Sequence, residues 1–199
     1  DAIVLREFDL ADKAFVAGGF DLPESKSDVA WLDADHLFVG TDFGPGSMTT
    51  SSYPRVMKLW TRGTPLASAT TVYEVKNDDI SVGVSSDPTP GFERTLLLRQ
   101  IDFYTSETFV RAKDGTLAKI DVPLDASVDA HREWLLVQLR SDWTVGGRTF
   151  RGGSLVAANF DAFMAGKRDL VAVFTPTDTV SLGGYSWTRH HLLLDLLDN

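Results

Sequence analysis

Cysteine is absent from the 199-residue chain, which excludes a disulfide framework and thiolate-bound zinc while leaving the compartment open. Positive charge is scarce, with 19 Lys and Arg against 28 Asp and Glu, a net charge of −9 and a pI near 4.8. That balance argues against the broad basic surface that neutralises nucleic-acid phosphate, and against binding to anionic membrane surfaces. Long apolar runs are missing too: no stretch approaches the roughly 18 uninterrupted residues of a membrane helix. No charged-then-apolar leader pattern opens the sequence given.

What is present is enough for a packed core: 43% of the side chains are apolar and 11% aromatic. The apolar, β-rich segments beginning at Val29, Ile80, Val128 and Val180 recur after 51, 48 and 52 residues. Each unit starts with a short alternating strand, as in Ile80-Ser81-Val82-Gly83-Val84, and continues after a polar turn into a denser one. The denser strands are Leu37-Phe38-Val39, Leu96-Leu97-Leu98, Leu135-Leu136-Val137 and Leu192-Leu193-Leu194. One strand at an edge and one buried on both faces is what a radially repeated four-stranded blade requires. The expected fold is all-β, a partial β-propeller of four-stranded antiparallel blades, with about three full blades and two partial ones.

The expected organisation is a single incomplete propeller domain over residues 1–199: a blade remnant at 1–20, blades at 28–76, 79–122 and 127–175, and a partial blade at 179–199. In the remnant, residues 3–8 and 14–17 read as two strands that close a blade whose beginning lies outside the sequence. Asp114-Gly115 is a hairpin signal. Residues 161–167 form the one helix candidate. The chain begins inside a strand pattern and ends directly after the Leu192 to Leu197 run, so both ends read as cut through structure. Open blade edges carry an expectation of self-association.

Several local patterns resemble chemical sites, and each has a plainer reading. Gly152-Gly153-Ser154 starts like a nucleophile elbow, but Val156 stands where glycine is needed, so a strand-entry turn is preferred. Asp33-Ala34-Asp35-His36 offers metal or acid-base ligands, yet its length is that of a solvated turn. His190 and His191, as strand neighbours, would point to opposite faces. Asp78-Asp79 and the Asp195/Asp198 pair could serve glycoside hydrolysis if carried to a central channel. Arg99, Gln138 and Arg140 are candidates for lining such a channel, with pairing to nearby aspartates as the alternative. Trp31, Trp60, Trp134, Trp143 and Trp187 fit sheet packing better than a stacking platform.

Longer phrases carry more information. Gly18-Gly19-Phe20-Asp21-Leu22-Pro23-Glu24-Ser25-Lys26-Ser27, then Trp31-Leu32-Asp33 and Thr41-Asp42-Phe43-Gly44, resemble the amino-terminal propeller of the prolyl oligopeptidase family of serine peptidases. The resemblance continues through Tyr53-Pro54-Arg55-Val56, Lys58-Leu59-Trp60-Thr61-Arg62-Gly63-Thr64-Pro65-Leu66 and Arg140-Ser141-Asp142-Trp143. It extends to Gly153-Ser154-Leu155 and Leu196-Leu197-Asp198-Asn199.

The resemblance implies a propeller preceding an α/β-hydrolase domain whose Ser, Asp and His cleave short peptides after proline. The propeller covers that site and gates its substrates. No triad residue maps onto this sequence, so the fragment is expected to be silent and its parent to be the peptidase. The implied partners are the carboxy-terminal hydrolase domain of the same parent chain and a short peptide; no cofactor, metal, nucleic acid or membrane is expected. The location expected is the cytoplasm, with the periplasm as alternative. The competing reading is a stand-alone propeller-like scaffold that binds a protein or glycan.

Overall fold

The computed structural model describes residues 1–188 and 191–198. It is built almost entirely of antiparallel β-structure and divides into two compact units. The first contains residues 1–88 and 93–119, the second residues 89–92 and 120–199. The fold is that of a partial β-propeller.

The first unit contains β1 (Ile3–Arg6), β2 (Phe8–Asp9), β3 (Ala14–Phe15), β4 (Asp21–Ser25), β5 (Asp28–Asp33), β6 (His36–Gly40), β7 (Val56–Thr61), β8 (Thr70–Glu74), β9 (Ser81–Asp87), β10 (Arg94–Gln100), β11 (Ser106–Arg111) and β12 (Leu117–Lys119). Strands β5 to β8 form one four-stranded sheet in sequence order, and β9 to β12 form a second.

Strand β6 shows why these sheets pack face to face. Successive side chains of a strand point to opposite sides. Leu37 and Val39 therefore pack with Phe20, Leu22 and Trp60, while Phe38 packs with Met57, Val75, Val82 and Leu97 on the other side. A strand apolar on both faces needs cover on both, and full burial of one such side chain contributes about 1.5–3 kcal/mol.

The amino-terminal segments form two separate pairs. β1 pairs with β4, placing Leu5 opposite Leu22 and Arg6 opposite Asp21. Residues 14 and 15 pair instead with Phe8 and Asp9 in the small β2–β3 hairpin. The reason is packing: Leu22 is 1% exposed beneath β6, so the Asp21–Ser25 segment is drawn in despite its polar residues and proline.

The Asp-Gly turn is present between β11 and β12. Gly115 adopts φ +92°, and Asp114 accepts hydrogen bonds from both the backbone and the hydroxyl of Thr116. An L side chain rarely takes that backbone conformation.

The second unit contains β13 (Ser127–His131), β14 (Trp134–Gln138), β15 (Trp143–Val145), β16 (Arg148–Phe150), β17 (Leu155–Asn159), α1 (Phe160–Met164), β18 (Val171–Phe174), β19 (Val180–Trp187) and β20 (Leu192–Asp198). Its four-stranded sheet has the order β13-β14-β17-β18, and β19 pairs with β20 alone. The β15–β16 hairpin interrupts the sheet at Gly146-Gly147, both at positive φ.

The helix lies slightly earlier than residues 161–167, because the Asn159 side chain accepts from the Ala162 N–H and fixes its start. Leu136, Leu155 and Ala157 pack against Leu182, Tyr185 and Leu194 of the β19–β20 pair. On β20 itself, Leu193, Leu196 and Leu197 remain about half exposed.

This contrast sets an expectation for stability. Leu97→Ala removes a fully buried side chain and should cost about 2–5 kcal/mol. Leu193→Ala, at a position 56% exposed, should cost less than about 1 kcal/mol. Urea titration of the two variants would show equal costs if the sheet packing described here were wrong.

Candidate functional site

The most strongly coupled polar cluster begins with Asp79, in the connection from β8 to β9. Its carboxylate is 2% exposed and accepts the Lys76 N–H at 2.7 Å. It also takes a two-pronged contact from Arg99 of β10, with Nε and Nη2 at 2.8 and 2.9 Å. Arg99 Nη1 donates to Glu107 at 3.0 Å, and Glu107 accepts Lys119 Nζ at 2.7 Å.

Antiparallel register places Arg99 directly opposite Glu107, so the charges alternate in a line across the sheet. The Arg99 guanidinium holds Asp79 below the usual carboxylate range, and Lys119, then Arg99, do the same for Glu107. Arg99 is in turn raised above its ordinary value, chiefly by Asp79. A guanidinium with two carboxylate partners is a strong structural tie.

The other channel candidates lie in the second unit. Gln138 ends β14, paired to Ser127 and Leu155, and is partly buried. Arg140 follows it, exposed, and its carbonyl leaves no room for a side chain at Gly152, where a Cβ would stand 2.7 Å away.

The remaining motifs resolve into structural roles. Ser154 is 1% exposed, its backbone N–H bonded to Arg151, in a strand-entry turn. Asp33 accepts the Asp35 N–H and contacts His36 Nδ1 at 2.8 Å within the exposed β5–β6 turn. Asp79 is committed to Arg99, whereas Asp78, Asp195 and Asp198 are exposed. His190 lies outside the described residues; the His191 N–H bonds the Thr188 hydroxyl. Among the described residues no group of three or more His, Cys, Asp and Glu could hold a metal ion. No helix described is long and apolar enough to cross a membrane.

Three features escaped the sequence reading. Burial raises Asp28, the first residue of β5, above the usual carboxylate range even though it accepts the Val84 N–H at 2.9 Å. Glu107 and Lys119 join Arg99 only through strand register, which no motif marks. In the second unit, a cavity of about 170 Å³ is lined by His131, Trp134, Trp187 and His191. There the His131 ring stacks on Trp187 at 4.5 Å, and the Trp187 indole N–H donates to Asp129 at 3.0 Å. Asp129 and desolvation together push the Tyr185 hydroxyl up to about 12, desolvation being the larger cause.

No family model matches the chain. Over its full length it is 31% identical to an uncharacterized peptidase of Sinorhizobium fredii and 28% identical to one of Rickettsia prowazekii. It spans only 29% and 30% of the length of those two relatives. A post-proline cleaving enzyme from Rickettsia typhi superposes with a TM-score of 0.92 at 28% identity, over 99% of this chain and 31% of that one. A chain from a study of two prolyl endopeptidases matches with a TM-score of 0.71 at 16% identity, covering 100% of this chain and 29% of its own, which speaks to fold alone.

The ion chain predicts an acid limb of stability. The depressed values of Asp79 and Glu107 mean that their contribution is present above the unfolded values near 4 and lost as pH falls through the folded ones. Asp79→Ala leaves the Arg99 guanidinium without its main partner and should cost about 3–5 kcal/mol at pH 7. The deficit should shrink below about pH 4. Urea titrations showing the same deficit at pH 7 and pH 3 would rule out the electrostatic account.

Proposed function

We propose that the chain, similar over its full length to part of two named peptidases and of a post-proline cleaving enzyme, is an amino-terminal β-propeller piece of a prolyl oligopeptidase-family protein and forms part of a non-catalytic roof over a peptidase active site. The observation that carries this is the full-length match to about 30% of each peptidase. In this reading the triad belongs to an α/β-hydrolase domain of the same parent chain.

A buried nucleophile with an oxyanion hole works best with water excluded. A roof of packed sheets excludes water and restricts entry to short proline-containing peptides. In this proposal Arg99 of the first unit keeps its place as a channel-lining candidate, and so do Gln138 and Arg140 of the second. Arg99 does so with a fixed charge, since Asp79 and Glu107 hold its guanidinium.

The test is fluorophosphonate labelling of the native gene product beside the 199-residue chain, read by intact mass. The expected result is a single label on a much heavier native product and none on the fragment. A native product of this length that stays unlabelled would replace the peptidase reading with a binding scaffold. A labelled fragment would refute the silent-roof reading directly.

A further inference from the structure

Two loops at one end of the first unit are built alike. The tip at residues 101–105, between β10 and β11, holds Phe103 at 87% exposure and Tyr104 at 64%. Its backbone is nevertheless fixed from within. Asp102 Oδ1 accepts the N–H groups of Tyr104 at 2.7 Å and Thr105 at 2.8 Å. The Thr105 hydroxyl donates to Asp102 Oδ2 at 2.7 Å, and Gln100 Nε2 donates to the Asp102 carbonyl at 2.6 Å. The Tyr104 and Thr105 bonds to the carboxylate account for the lowered value of Asp102.

The loop at residues 41–55, between β6 and β7, presents Tyr53 at 41% exposure. It is tied by Ser47 Oγ accepting the Phe43 N–H at 2.8 Å, and by Thr49 Oγ1 donating to Ile80 O at 2.9 Å. Backbone bonds bring the two loops to the same end: Ile80 N–H to Gln100 O, and Val82 N–H to Pro54 O, each 2.8 Å. The β7–β8 and β11–β12 turns of these sheets, residues 62–69 and 112–116, contain no aromatic residue.

Holding an exposed phenylalanine on an ordered tip contributes little to folding, because almost none of its surface is buried. It does contribute to association. Aromatic residues on pre-organised loops bind with less entropy to lose and dominate the centres of interfaces. The chain accounts for only 29% to 31% of the length of its relatives, so most of a parent polypeptide of that size lies outside it.

We propose that this end of the first unit, with Phe103 as its principal anchor, is the surface on which the remainder of the parent polypeptide docks. The proposal rests on the roof reading above and specifies which loops face the rest of the protein. Asp102 is satisfied within its own turn, so the matching surface is an apolar pocket rather than a basic one.

The experiment uses the intact parent protein carrying Phe103→p-benzoylphenylalanine, irradiated, digested and mapped by mass spectrometry. The expected product joins position 103 to a peptide outside residues 1–199 at the mass of one polypeptide. A crosslink to a second copy, to another protein or within residues 1–199 overturns the proposal, and so does no crosslink.

Should the variant fail to fold, hydroxyl-radical footprinting of the unmodified parent decides. Phe103 should oxidise more than about fivefold more slowly in the native than in the urea-unfolded protein, as a buried interface centre would; a smaller ratio overturns the docking. Fluorophosphonate labelling of the same sample separates the two readings. A labelled parent without the crosslink sinks only the docking surface, whereas a crosslinked parent without label sinks only the peptidase.

Discussion

A β-strand that is apolar on both faces has to be covered on both, and that constraint organises the first unit. Leu37 and Val39 of β6 pack toward Phe20, Leu22 and Trp60, and Phe38 packs toward Met57 and Leu97. One sheet therefore fills two cores and must be sandwiched. The cost of leaving either side open would be several buried side chains at about 1.5–3 kcal/mol each. The sheet of β13, β14, β17 and β18 meets the same demand on one face with the β19–β20 pair. On β20 the demand is only half met, since Leu193, Leu196 and Leu197 still face solvent.

The polar groups follow from the same packing. A sheet stacked on its neighbour buries its connections, and the connection from β8 to β9 carries Asp79 into a site 2% exposed. A carboxylate there must be bonded or neutralised. Arg99 supplies two bonds, and its remaining charge is balanced by Glu107, then by Lys119. Such a chain is a modest source of net stability, because desolvation offsets much of the attraction. Its geometric demand is severe: the Arg99 to Glu107 contact forms only in the register observed. Asp28 joins β5 to β9 by a single backbone bond without a cation, and its value is raised instead of lowered.

Much of this was legible in the sequence, and the exceptions have identifiable causes. The dense strands containing Leu37, Leu97 and Leu136 stood out because both faces are apolar, and the Asp114-Gly115 hairpin because few residues accept φ near +92°. The partnership of β1 with β4 was hidden. Asp21–Ser25 is polar and contains Pro23, and only the pocket beneath Leu22 makes it a strand. The β15–β16 hairpin had a usable signal, alternation around Gly146-Gly147, that was overshadowed by the neighbouring turn. The ion chain was visible as separate residues, never as a set, because Asp79, Arg99, Glu107 and Lys119 meet through register rather than spacing. Asp79 accordingly read as half of a catalytic acid pair when its actual partner is a guanidinium.

The carboxylates also bear on where chemistry could arise. A general acid near neutral pH needs a carboxyl raised well above its ordinary value by burial or by a like charge. Among the described residues, Glu7, Asp33, Asp79, Asp102, Glu107 and Asp114 are all lowered. Each is held ionised by a named structural partner: Arg62 for Glu7, Arg99 for Asp79, Lys119 for Glu107, and turn hydrogen bonds for the others. Asp28 is raised, and the Val84 N–H that it accepts belongs to β9. Perturbed groups often mark active sites, but here the perturbation traces to strand register and turn geometry. These groups are therefore set to fix sheets in place.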